Sequence, residues 1–153
     1  MNPLRRTTLI ALSITALAGP ALAEERGSKD EAKAMVDAAF EHIKKVGPEK
    51  AYKDFSTDKA NWSKKDLYVI AQDDKAVFVA HGANEKLVGK DMSAVLDGNG
   101  KPLSAGLLAV ANKGGGWYDY DWPDPITKKM MNKTTYVRKP PAGGGFIGVG
   151  VYR

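Results

Sequence analysis

Gly114–Pro125 reads GGGWYDYDWPDP, an alternating strand set between two breakers. Side chains alternate along a strand, so Tyr118, Tyr120 and Trp122 share one face while Trp117, Asp119 and Asp121 take the other. The three glycines stop whatever precedes them, and Pro123-Asp124-Pro125 ends the ladder. Two more strand-like runs follow, Met130–Arg138 (MMNKTTYVR) and Phe146–Tyr152 (FIGVGVY). In the last run Ile147, Val149 and Val151 line one face. Gly148 and Gly150 line the other, where missing side chains let a neighbour approach the backbone. Short connections between these three strands favour antiparallel pairing.

Working upstream, Leu103–Asn112 is apolar at helical spacing and predicts a helix that ends at the glycines. Asp97-Gly98-Asn99-Gly100 is a turn; it lacks the third acidic position and closing glutamate of a calcium loop. Leu67–Ala71 and Ala76–His81, joined at Asp73-Asp74, predict a hairpin whose second strand places His81 with Val77 and Val79. Ser56–Lys65 reads as a loop holding Trp62. Ala32, Met35, Val36, Ala39, Phe40, Ile43 and Val46 form the apolar stripe of a long helix, capped by Ser28 or Asp30 and closed by Gly47-Pro48. A short helix from Pro48 buries Ala51, Tyr52 and Phe55. His42 falls off the stripe and reads as solvated, and Glu24–Asp30 as a fraying end. The sum is an α+β domain, a five-stranded antiparallel sheet with a long N-terminal helix on one face.

The beginning of the chain reads as an export signal. Arg5-Arg6 precede an apolar run, Leu9–Leu17, and Ala21-Leu22-Ala23 is a small-x-small cleavage site. Residues 1–23 are therefore expected to be removed, leaving one domain over 24–153. The apolar run is shorter than the ~20 residues a spanning helix needs. The chain has 153 residues and a net charge of +5. Loss of two arginines from twenty-three basic residues, against eighteen acidic ones, leaves +3. With no arginine block or basic stripe, this charge does not describe a nucleic-acid binder. The expected location is a bacterial periplasm.

Composition also narrows the chemistry. Cysteine is absent and there are two histidines, His42 and His81, which excludes thiolate and multi-histidine metal sites. No phosphate loop, nucleophile elbow or helical histidine pair is present, so neither catalysis nor a cofactor is expected. Asp119, Asp121 and Asp124 fit a solvated strand face as well as a cation site. The triplet Tyr118, Tyr120, Trp122 serves either core packing or a pocket wall. His81 at a strand end is either a satisfied structural residue or a ligand group. Lys133 in mid-strand points either to water or at an anion.

Together these segments resemble a known family. GGGWYDYDWPDP, then Lys133-Thr134-Thr135-Tyr136-Val137, then Gly148-Val149-Gly150-Val151-Tyr152, with Ala80-His81 and Lys86-Leu87-Val88-Gly89-Lys90 upstream, look like the single Cache domain, type 2. The resemblance covers about Asp30 to Arg153. It implies a PAS-like sensor fold outside the cytoplasm, with a small-molecule pocket between sheet and loops. It further implies pocket roles for His81, Trp122, Lys133 and Tyr136, with Tyr68 and Tyr118 as further candidates. Lys133 and Tyr136 are three apart, so a bulge or strand end is required for both to face one pocket. The function implied is reversible binding of a small organic anion. The alternatives are a periplasmic interaction subunit serving a membrane receptor or sensor kinase, and an exported hydrolase. A homodimer through the long helix is a further implication of the resemblance.

Overall fold

The computed structural model describes residues 25–153; the expected signal segment 1–23 lies outside the described residues. Helix α1 spans Lys29–Val46. Ser28 starts it through a capping box: Ser28 Oγ accepts from Glu31 N–H (3.2 Å) and Glu31 Oε2 accepts from Ser28 N–H (2.9 Å). Gly47 at φ +85° stops α1, and Pro48 at the first position opens α2, Pro48–Thr57. A third short helix, α3 (Lys59–Trp62), stands where a loop was expected, because the Asp58 side chain caps Asn61 N–H and Trp62 is buried.

Strands β1 (Ser63–Lys64), β2 (Leu67–Gln72), β3 (Phe78–His81), β4 (Gly116–Pro123), β5 (Met130–Arg138) and β6 (Phe146–Tyr152) form one sheet, with α4 (Leu103–Asn112) between β3 and β4. All pairings are antiparallel, in the order β1-β2-β6-β5-β4, with β3 also on β2. The sheet thus has six strands; the one beyond the expected five is the two-residue β1.

The alternation in β6 divides the molecule. Ile147, Val149 and Val151 join Leu67, Val69 and Ala71 of β2 against Ala32, Val36, Ala39 and Ile43 of α1. The opposite face carries Tyr120, Val137 and Phe146 against Leu103, Leu107 and Ala111 of α4. The segment between β3 and α4 folds over the sheet on that second side. Phe78 N–H donates to Lys90 O (3.0 Å) and Gly89 N–H to Phe78 O (2.8 Å).

Two local expectations are corrected. The N-terminal stretch is pinned: Arg26 donates to Asp124 (2.9 Å) and Asp66 (3.4 Å), and Gly27 N–H donates to Asp66 (2.7 Å). His42 is half-buried rather than solvated, with its ring 5.0 Å from that of Trp62 and Nε2 2.8 Å from Asp54 Oδ2.

Candidate functional site

Between the sheet and the α4 layer lies a cavity of about 80 Å³. Apolar walls come from Ile70, Phe78, Leu87, Met92, Leu103, Leu107 and Trp122, and polar groups from Tyr68, Gln72, His81, Tyr120 and Lys133. A water needs roughly 10–15 Å³ of such space, so the volume holds about five to eight atom-sized positions. That is the scale of a short organic molecule. Tyr68 also lines a second, larger cleft of about 280 Å³ with Ala83, Pro125 and Ile126.

Lys133 is the electrostatic centre. It faces the cavity from mid-β5 and is 5% exposed. Its room comes from β6, because a Cβ on Gly150 would overlap Lys133 Cε. The ammonium donates to Tyr68 Oη (3.3 Å) and lies 4.7 Å from the centre of the Tyr152 ring and 5.3 Å from that of Tyr68. Among the described residues it has no carboxylate partner. Burial works against its charge, while the hydrogen bond to Tyr68 Oη and the faces of the Tyr68 and Tyr152 rings favour it. The site therefore holds a positive charge with donor capacity to spare.

His81 is held by its backbone and its ring. Its N–H donates to Ser56 Oγ (3.1 Å), and its Nδ1 accepts from Asn84 N–H (3.0 Å). The second contact leaves the proton of the neutral ring on Nε2. Burial first, then the charges of Lys133 and Lys59, push its pKa down to about 4. At neutral pH it is an uncharged donor beside a cation. Its companion on this face is Phe78, at 5.1 Å between ring centres, rather than Val77 and Val79. The reason is an irregularity in the β2–β3 register: Ala71 pairs with Ala80 but Gln72 with Phe78, so Val79 is the extra residue.

The sequence candidates divide between two faces. Tyr68, His81, Trp122 and Lys133 meet at the cavity. Tyr136 does not join them. The registers of β5 with β4 and β6 run without a shift, so Tyr136 faces away from Lys133 and packs on Trp117 (5.2 Å) on the α1 side. Tyr118 shares the face of Tyr120 and Trp122 but lies beyond the cavity, against Gly106 of α4. Tyr152 and Gln72 are not among the sequence candidates, and Tyr120 is there only as a member of the aromatic triplet. The alternation through Tyr118 and Trp122 already carries Tyr120, and that through Gly148 and Gly150 carries Tyr152. Asp119 and Asp124 are engaged elsewhere, with Arg153 (2.7 Å) and Arg26.

A helical layer on one face of an antiparallel sheet, with a small cavity under the loops of the other, defines a PAS-like sensor domain. The family model for single Cache domain 2 matches residues 10–153, and the chain belongs to that family. Over 75 residues, 48% of its length, the chain is 35% identical to methyl-accepting chemotaxis protein McpP of Pseudomonas putida. The match spans 14% of that relative's length. Among solved structures it is similar to a methyl-accepting chemotaxis protein from Vibrio parahaemolyticus (TM-score 0.68, 25% identity, 81% of this chain and 87% of that one). It is also similar to a Cache chemosensory domain described as recognising carboxylic acids (TM-score 0.65, 25% identity, 80% and 91%). A third is the periplasmic sensor domain of a chemotaxis protein (TM-score 0.63, 27% identity, 78% and 91%). No helix among the described residues is long and apolar enough to cross a membrane.

Proposed function

We propose that this chain is an extracytoplasmic sensor domain that reversibly binds a short organic acid and performs no chemistry on it. The observation that carries this reading is the Lys133 ammonium, buried beside a cavity and facing hydroxyl and aromatic groups instead of a carboxylate. A buried charge is costly unless paired, and a ligand carboxylate supplies the pair. Lys133, the Tyr68 hydroxyl and His81 Nε2–H are the donors for its two oxygens. Ile70, Leu107 and Trp122 wall its carbon chain. The carboxylic-acid-recognising neighbour supports the same chemistry here.

Small ligands gain at most about 1.5 kcal/mol per heavy atom, so an acid of about five atoms binds with a dissociation constant of a few micromolar at best. A thermal-shift screen of the purified protein with short carboxylates, amines and purines tests the reading. Carboxylates are expected to raise the melting temperature at millimolar concentration and amines are not. No shift with any carboxylate would overturn it.

Export by cleavage after Ala23 belongs to the same proposal, and N-terminal sequencing of the secreted protein checks it. So does transmission of occupancy to a membrane receptor or sensor kinase, with α1 as the surface for a homodimer. A pull-down with and without acid, and sedimentation of the purified protein, test those two points.

A further inference from the structure

At the end of β2 away from Tyr68 sits a buried amide whose oxygen has nothing to bond. Gln72 lines the cavity, is 3% exposed, and its Oε1 has no hydrogen-bond partner. The register explains the isolation: its cross-strand neighbours are Phe146 on β6 and Phe78 on β3, neither of which offers a polar group. Buried side-chain amides are nearly always satisfied, so an orphan oxygen on a cavity-lining residue marks where a bound molecule can supply the missing partner. Tyr68, Ile70 and Gln72 share this face, and four residues of strand separate Tyr68 from Gln72 by roughly 13 Å. The cavity thus has a cationic end at Lys133 and Tyr68 and a neutral polar end at Gln72, with apolar walls between.

We propose that Gln72 selects the ligand, and that the ligand is a short carboxylic acid with a hydroxyl at the end remote from its carboxylate. This rests on the acid-binding reading above and adds the second recognition point. A hydroxyl is the fitting group because it both donates and accepts, and so satisfies the amide whichever way its oxygen and nitrogen are turned. An alkyl end placed there leaves the amide unpaired, and a second carboxylate would lie far from the ammonium in an apolar wall.

Calorimetric titration of the purified protein with two size-matched pairs tests the proposal: 3-hydroxypropionate against butyrate, and 4-hydroxybutyrate against pentanoate. The expected result is at least tenfold tighter binding of the hydroxy acid in one or both pairs. In Gln72→Met that preference is expected to vanish or reverse while the alkyl acids still bind. Equal binding within each pair, or a hydroxyl preference that survives in Gln72→Met, overturns the assignment of Gln72 and leaves acid sensing standing. Failure of the wild-type protein to bind any of the four acids overturns the acid-sensing reading and this proposal with it. A crystal structure of the wild-type protein with 4-hydroxybutyrate decides the point without a variant. A hydroxyl within hydrogen-bond distance of the Gln72 amide supports the proposal, and one elsewhere contradicts it.

Discussion

Lys133 on β5 lies across Gly150 on β6, and the side chain Gly150 lacks is the space Lys133 occupies. The two residues are not cross-strand partners: Lys133 pairs with Tyr152 and Gly150 with Thr135. The lysine therefore bends back along the sheet, which carries its ammonium to Tyr68. A glycine in mid-strand costs stability, and here it provides a path for a buried charge.

Gly150→Ala tests that path. A Cβ there would overlap Lys133 Cε and lie 2.8 Å from Thr135 Oγ1, so the lysine must move. Gly150 has no positive φ, so the backbone accepts alanine. The expected outcome is a folded protein destabilised by about 1–3 kcal/mol in urea denaturation, the usual range for overpacking, with carboxylate affinity reduced at least tenfold.

Tyr68→Phe and Tyr136→Phe separate the two faces of the sheet. Tyr68 supplies the hydroxyl that accepts from Lys133, so its loss should weaken carboxylate binding by about 1 kcal/mol, or several-fold. Tyr136 packs on Trp117 beneath α1, so its phenylalanine variant should bind like wild type. Titration calorimetry on both variants checks the contrast.

His81 predicts a pH dependence of stability in the unliganded protein. Its folded pKa is held at about 4 against an ordinary 6.5. Between those values the unfolded chain takes up a proton that the folded one refuses, so stability falls as pH falls through the window. Above pH 6.5 the contribution is fully present. By pH 4 it is lost, to the extent of about 2–3 kcal/mol. Melting temperatures of wild type and His81→Gln across this range should converge at the acid end.

Arg26 and Asp124 predict a second acid-sensitive contact at the N-terminal stretch. The Arg26 guanidinium holds the Asp124 carboxyl well below the usual carboxylate range, with help from Thr127 and against burial. Because the folded pKa is depressed, this contribution is present above about pH 4 and lost as pH falls further. Arg26→Gln should move the midpoint of acid unfolding to higher pH, followed by circular dichroism.

Much of this architecture was legible in the sequence because it rests on period two. The alternations at 117–122 and 146–152 give the strands, their faces and the bare glycine face of the last strand. They leave the face of Lys133 open, and it is the pairing of β5 with β4 and β6 that sets it on the side of Trp122. Features that depend on register were not legible. A bulge at Val79 exchanges the companions of His81, while the absence of a bulge in β5 sends Tyr136 to the α1 face. Tyr118 obeys the alternation and still misses the cavity, because the position of α4 along β4 decides where the cavity ends. Gln72 is a polar residue closing an apolar strand, and its isolation depends on phenylalanines brought in from two other strands.

On the acid-binding reading the Lys133 charge exists for an anionic ligand rather than for the fold. Lys133→Met keeps an unbranched side chain, shorter by one atom, and removes the charge. Exchange of a buried charge for an apolar group of similar size is often neutral or stabilising, so the melting temperature of the unliganded variant should hold or rise. Titration calorimetry of this variant with the carboxylates that bind wild type is the most direct measurement. The expected result is loss of binding in a protein that is still folded. Carboxylate affinity within twofold of wild type would contradict it.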